Sequence, residues 1–447
     1  MISFSKFTKW FENQVWQLRN GNINIFYYKI KKFIFLLFLA ILIFLFFPIF
    51  LIIRIISNFF LIRFGILPSR RIGHFIVDVN LYLCNLKKNS LKTYDLFCLE
   101  RAKPVSNYAL LRIFKRHLTV LPEILIFPFI ILNKIKYIGS TKHNIKLNPY
   151  YSGHDLRYKD SENEKIDYFS QKEINFGNSF LKSLGINEND KFVCILCRDE
   201  EYYKHLFSKS YDMNYFFFGD NSKYRNSNID NFKLACEYLT ENGYYVFRMG
   251  EKVSKPFSTK SKKFFDYASL GMRTEFLDIF LSAHCEFFLS TSSGIDCVTK
   301  IFNKPRVRVS TPIIGGIDTT FKKELTICKH FYNNKTGKNL SLSEIFDSGL
   351  GTSEQLIGLT NKTIKFEEKN IDLIENSPEE IKDAVIEMLD LMKNNFIIDE
   401  ERNYLETKFW SIFKNKLNEI GYGHLHVNYF GSHLGKSFLM KNKNYLE

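Results

Sequence analysis

The sequence predicts an α/β protein, two Rossmann-like domains preceded by an N-terminal membrane helix, and three observations predict it. Residues 33–53 run from Phe33 to Ile53 without one polar or charged side chain. Between residues 187 and 310, short apolar strands alternate with helical stretches of about ten residues, the pattern of right-handed βαβ units. The first of those strands, Phe192-Val-Cys-Ile-Leu-Cys197, is continuously apolar, as strands buried on both faces of a parallel sheet are.

The apolar run matches the roughly 20 helical residues that span a bilayer core. It starts late and lacks a small-residue cleavage site, so it does not read as a signal peptide. Basic residues flank it on both sides, at Lys29, Lys31, Lys32, Arg54, Arg63, Arg70 and Arg71. The flanks therefore give no clean orientation, and Pro48 late in the run leaves two geometries open. One is a single span. The other is a helix-break-helix that dips into the membrane and returns, keeping the rest of the chain on the cytoplasmic side. A second apolar stretch, Ile124 to Leu132, is too short to span and reads as a core strand or an interfacial patch. Removing the segment to about Phe64 is expected to leave a soluble remainder.

At 447 residues and 45% apolar, the chain can bury two full cores. Its 46 Phe belong to a bias that also raises Ile, Asn and Lys, so a lone Phe or Lys carries little functional weight. The formal charge of +15 is densest around the apolar run and is interleaved with no nucleic-acid motif. Membrane lipids are the expected partner of that charge, and nucleic acid is not. Cys194 and Cys197 look like a CxxC pair, but on a strand they face opposite sides, so neither a disulfide nor a metal site is expected.

The domains expected are a basic lead-in and membrane segment over 1–68, a smaller α/β domain over 69–150, and a polar linker over 151–185. A Rossmann-like domain follows over 186–370, then a helical region over 371–447 that includes a capped helix at 377–394. Ligands of open parallel sheets bind at the carboxyl ends of the strands. After the first strand stand Arg198 and Asp199; after the next, Arg248 and Gly250. After the third comes Ser290-Thr291-Ser292-Ser293-Gly294, leading through Asp296 into a helix. A small-residue turn at a helix start offers N–H groups and hydroxyls to a phosphate, and two strand-end arginines suit a diphosphate. Tyr224, Arg225 and Asn226 open the loop before the next helix and can join that ligand or cap the helix. In isolation a Ser-rich turn is only an N-cap, and a lone Arg a surface residue. Their shared strand-end position argues for a site. Within the smaller domain, His74 and then Asp78 are the candidates for a general base.

Competing motifs fail. There is no Asp-x-Asp, no Gly-x-Gly-x-x-Gly and no Gly-x-Ser-x-Gly. Gly431-Ser-His-Leu-Gly-Lys-Ser437 is one residue short of a P-loop, and His424, His426 and His433 lie in poor context for metal ligands.

The segments Val193–Asp199, Tyr224–Asn231, Gly243–Gly250, Phe265–Tyr267, Leu277–Leu281 and Phe287–Gly294 together resemble the bacterial glycosyltransferases found among surface-polysaccharide genes. The match covers roughly residues 190–315, with looser likeness at Arg71–His74 and Ser437–Leu439. The resemblance implies the two-domain, metal-independent GT-B-like fold with a fucosyltransferase-like donor half. It implies sugar transfer from a nucleotide sugar to a lipid-linked or polysaccharide acceptor, with no cofactor and no metal. The family's His-Val-Arg-Asp at the first strand end is here Leu196-Cys197-Arg198-Asp199, so the Arg-Asp pair is kept and the His is not. The alternative is a catalytically inactive, membrane-bound glycan-binding or assembly scaffold protein.

Overall fold

The computed structural model describes residues 23–88, 93–100, 104–147, 166–202, 223–352, 366–421 and 430–447, with isolated positions besides. The chain divides into two compact units. The first comprises Met1–Leu67, Ser90–Arg101 and Leu118–Lys146; the second comprises Pro68–Asn89, Ala102–His117 and Leu147–Glu447.

In the first unit, one helix runs from Ile23 to Ile56. At 34 residues it is on the order of 50 Å long. Pro48 does not break it. Pro48 lacks the N–H for one ladder bond, but the turns on either side hold helical geometry, so the helix-break-helix alternative is not what the chain forms. The helix is long and apolar enough to cross a membrane, and exposes Phe33, Ile34, Leu37, Phe44 and Leu45. Its last turns behave differently. Phe50 and Ile53 are buried against Phe64, Ile126, Phe129 and Ile130, with Phe46 5.5 Å from Phe129 in an edge contact. The stretch Ile124–Leu132, expected to be a strand or a surface patch, is instead part of the helix Glu123–Leu132 packed on this stem. Strands β1 (Leu61–Leu67), β2 (Thr93–Leu99) and β3 (Thr119–Val120) form a parallel sheet in the order β1-β2-β3.

The expectation for a truncation at Phe64 therefore changes. It removes most of β1 and the aromatic core of this unit. Deleting residues 1–64 is expected to abolish cooperative melting of the first unit, whereas deleting residues 1–38 leaves the Phe46–Ile53 contacts intact. Thermal melts followed by circular dichroism in detergent distinguish the two.

The second unit carries the larger sheet. Its strands are β4 (Phe192–Leu196), β5 (Tyr245–Arg248), β6 (Phe264–Phe265), β7 (Phe288–Ser290), β8 (Arg306–Thr311), β9 (Glu324–Cys328) and, after a separate antiparallel sheet, β13 (His433–Leu434). The separate sheet joins β10 (His330–Asn333), β11 (Lys338–Asn339) and β12 (Ile371–Ile374). The seven strands are ordered β13-β9-β8-β7-β4-β5-β6 and every neighbouring pair is parallel. Counted from β4, this is the doubly wound order 3-2-1-4-5-6 with one strand added. Sheet formation follows from composition, since Val193, Ile195, Val246, Leu289, Val307 and Leu325 are wholly buried.

The expected helices appear with small shifts. A 3-10 turn over Ile229–Phe232 precedes the helix Lys233–Glu241, and Thr274 caps the helix Glu275–His284 by accepting from the Leu277 N–H. Ser377 and Glu380 close a capping box on the helix Pro378–Lys393. Cys194 and Cys197 are free thiols, buried as expected; the Cys197 thiol donates to the Ser227 carbonyl at 3.1 Å. Lys436 and Ser437 of the P-loop-like stretch give their N–H groups to Glu387, and His433 faces Glu406, so a carboxylate fills the place a phosphate would need. His424 and His426 lie outside the described residues.

Asp278 supplies a pH signature. Burial pushes its carboxyl up to about 6, against the pull of Arg273 at 2.7 Å and a hydrogen bond from the Tyr267 hydroxyl at 3.2 Å. The folded state then binds more protons than the unfolded chain between pH 4 and 6. Stability from this group is greatest below pH 4 and falls as the pH rises through 6, by on the order of 3 kcal/mol. Asp278→Asn is expected to flatten that slope in chemical denaturation across the window.

Candidate active site

The switch point of the large sheet lies between β4 and β7, where the winding reverses and the strand ends splay. There the two predicted segments meet. The Arg198 N–H donates to the Thr291 hydroxyl at 2.9 Å, and the Thr291 N–H donates to the Leu196 carbonyl at 3.2 Å. Ser292 sits at φ +57°, a left-handed conformation that a non-glycine residue holds only when its surroundings impose it. What imposes it is visible. Arg225 Nη2 donates to the Ser292 carbonyl at 3.0 Å, and the Ser292 and Thr311 hydroxyls lie 3.2 Å apart.

Asp296, expected to touch the ligand, is wholly buried beneath the turn. Its Oδ2 accepts from the Ser290 hydroxyl at 2.5 Å and from the Ser293 N–H at 3.0 Å; Oδ1 accepts from Arg308 at 2.9 Å. Burial pushes its carboxyl up, but Arg308 and Arg306 outweigh burial and hold it below the ordinary aspartate range. Beyond it, Arg306 also meets Glu324 and Asp318, and Lys300 meets Asp318 at 2.7 Å. Three cations, Lys300, Arg306 and Arg308, thus face three buried carboxylates, Asp296, Asp318 and Glu324, under the turn. Asp296 shapes the turn from inside the core.

Arg248 is also turned inward. It is 1% exposed, with Nη1 2.8 Å from the Lys255 carbonyl and 3.3 Å from Asp266. Asp266 is its counter-ion, so Arg248 ties down the loop after β5 and is not brought to the turn. Gly250 serves the same loop at φ +153°, where an added Cβ would come within 2.8 Å of Val253. Asp199 spends one oxygen on the Glu201 N–H and the other on the Ser254 N–H. Arg225 does bring its guanidinium to the turn, and Arg198, itself buried, adjoins the turn through its backbone N–H.

The helix Ile72–Lys88 belongs to this unit and starts against the same turn. A Cβ placed on Gly73 would lie 3.1 Å from the Gly294 Cα, and one on Gly294 would lie 3.0 Å from the Gly73 nitrogen. Two glycines are what let the backbones meet so closely. Next in sequence is His74, one-third exposed, whose Nδ1 is 3.6 Å from Asp78 Oδ2 one turn along; Asp78 is buried. The two base candidates are thus one pair, an imidazole with a carboxylate behind it. The segment is fixed further along, where the Tyr168 hydroxyl donates to Asn80 at 2.6 Å. Nearby, Asn107 Nδ2 donates to the Glu275 carbonyl while Glu275 accepts from the Tyr108 N–H.

Other residues complete the rim. The Ser227 N–H donates to the Arg198 carbonyl, Lys329 Nζ donates to the Asn226 carbonyl at 2.6 Å, and the Lys329 N–H donates to the Thr311 carbonyl. Lys329 lies past residue 320, where the sequence carries no recognisable motif, and Thr311 ends a strand with no motif of its own. The available signal was the β-rich Glu324-Leu-Thr-Ile-Cys328 ending in Lys329.

No family profile and no curated protein matches the sequence. Among solved structures the chain is similar to the ADP-heptose LPS heptosyltransferase II of Escherichia coli, at 12% identity over 74% of this chain and 99% of that one, TM-score 0.40. It is similar also to a family 9 glycosyl transferase of Veillonella parvula, at 11% identity over 73% and 97%, TM-score 0.39. A third is the E. coli heptosyltransferase WaaC with ADP-2-deoxy-2-fluoro heptose, at 11% identity over 60% and 93%, TM-score 0.29. Overlaps of this size settle neither fold nor activity for this chain.

Proposed function

We propose that the chain is a membrane-tethered glycosyltransferase that moves a sugar from a nucleotide sugar to a hydroxyl of a lipid-linked or polysaccharide acceptor. One observation carries the reading: a diphosphate-type turn at the switch point abuts, through Gly73 and Gly294, the helix that bears a His-carboxylate pair. The resemblance of residues 190–315 to polysaccharide glycosyltransferases supports transfer in particular.

In this mechanism Arg198, Arg225 and the accessible part of the turn, Ser292–Gly294, hold the donor diphosphate, while the buried Ser290 and Thr291 brace it from beneath. His74 takes the proton of the acceptor hydroxyl as its oxygen bonds to the anomeric carbon, and the bond from that carbon to the phosphate oxygen breaks. Negative charge growing on the diphosphate is met by the two guanidiniums and the turn's dipoles. Asp78, 3.6 Å behind the ring, offsets the imidazole's charge once it is protonated. Arg225 and Arg198 supply the compensation that other enzymes draw from a metal, so the proposed mechanism calls for none. The exposed apolar length of the helix Ile23–Ile56 is the tether, and the catalytic unit faces the cytoplasm, where nucleotide sugars are made.

The test is release of nucleoside diphosphate from a panel of nucleotide sugars by the full chain in detergent, with lipid-linked acceptors present. Acceptor-dependent release from at least one donor, unchanged by EDTA, is expected. Donor binding without release under any acceptor would favour the scaffold alternative, and loss of activity in EDTA would overturn the metal-free mechanism.

A further inference from the structure

Beside the turn lies an open cleft of about 520 Å³. Its volume is in the range of small-ligand sites. Tyr224 and Phe366 form one wall, their ring centroids 5.7 Å apart and tilted by 49°. Asn226, Ser227, Asn228, Lys329, Asp372 and Glu375 supply its polar lining. Glu375 is fixed in place, because its Oε2 accepts from the Asn228 N–H at 2.7 Å and from Asn231 Nδ2 at 3.0 Å. Among the described residues, no such bond falls on its Oε1.

The cleft and the turn share one rim. Arg225 and Ser227 bond to Ser292 and Arg198, while their neighbours Tyr224, Asn226 and Asn228 line the cleft. Lys329 closes the circuit, joining Asn226 on one side and Thr311 on the other, and Thr311 meets Ser292. A ligand with an anionic end at the turn and a flat, apolar-faced end in the adjoining cleft fits this rim. A flat ring stacks on aromatic side chains, and a fixed carboxylate accepts from a ribose hydroxyl.

We infer that the cleft is the nucleoside subsite of the donor. The base lies against Tyr224 and Phe366, Glu375 Oε1 accepts from a ribose hydroxyl, and the diphosphate continues over the rim to Ser292–Gly294. This rests on the proposed function, but it is separable from it. The turn recognises phosphate alone, whereas the cleft adds affinity only for a nucleoside.

Calorimetric titration of the full chain in detergent tests it, with uridine, guanosine, cytidine and adenosine diphosphates and with inorganic pyrophosphate. At least one nucleoside diphosphate should bind more tightly than pyrophosphate. Phe366→Leu, which keeps apolar bulk and removes the ring, should weaken that nucleotide about tenfold and leave pyrophosphate unchanged. Tyr224→Leu, on the other ring of the wall, should act in the same direction. If pyrophosphate binds and no nucleoside improves on it, or Phe366→Leu weakens both ligands or neither, the subsite is overturned while the phosphate turn stands. If neither pyrophosphate nor any nucleotide binds, the function reading falls with it.

Discussion

Asp296→Ala is expected to cost about 3–5 kcal/mol of folding stability, the penalty for leaving buried charge without its partner. The carboxylate is wholly buried and sits between Arg308 at 2.9 Å and Arg306 at 3.8 Å. Removing it leaves three cations, Lys300, Arg306 and Arg308, against two carboxylates, Asp318 and Glu324. It also strands the Ser290 hydroxyl and the Ser293 N–H that the carboxylate accepts from. Asp296→Asn keeps an acceptor for these and should lose less. The pH dependence has a definite sign. Because the folded carboxyl is held below its ordinary value, its stabilisation is present above about pH 4 and is lost as pH falls through the folded value. Guanidinium denaturation at pH 7 and at pH 3 measures both effects, and the difference between wild type and Asp296→Ala should shrink at the lower pH.

His74→Ala is expected to lower the rate of sugar transfer by about 10²- to 10⁴-fold, the range for removing a general base. Donor affinity should change little, because His74 faces the acceptor side of the turn in this account and does not hold phosphate. The side chain is partly exposed, so its loss should leave stability within about 0.5 kcal/mol. Asp78→Asn keeps the size of the side chain behind the ring and removes its charge, so a smaller loss of rate is expected. Steady-state transfer together with donor titration separates these cases. An equal loss of donor affinity and rate would place His74 among the phosphate ligands instead.

The parallel sheet was legible because its strands are short runs of fully buried apolar residues. Phe192–Leu196 shows this most plainly, whereas in Arg306–Thr311 the signal is Val307 and Val309 alternating with polar residues. Strand order was not legible, since which strand lies beside β4 depends on crossovers that local pattern does not encode. The small-residue turn was legible too, as a helix start at a strand end. Direction of side chains was the part that failed. Arg248 and Arg198 both stand at strand ends and both are buried, and nothing local to Arg248 says that Asp266, from 18 residues on, will tie it down. Asp296 follows the turn as a ligand would, yet its partners Arg306 and Arg308 come from the next strand. The stem likewise looked uniform as sequence. Its last turns differ from its first because Phe129 and Phe64, from two other elements, cover them.

The central claim is that a nucleotide sugar binds at the β4–β7 switch point of the second unit. Amide hydrogen exchange of the full chain, with and without the nucleoside diphosphate that binds most tightly, tests it directly. The account predicts slowed exchange in residues 197–199, 225–228 and 290–297. Saturating ligand that slows none of these, or that protects only segments of the first unit, would contradict it.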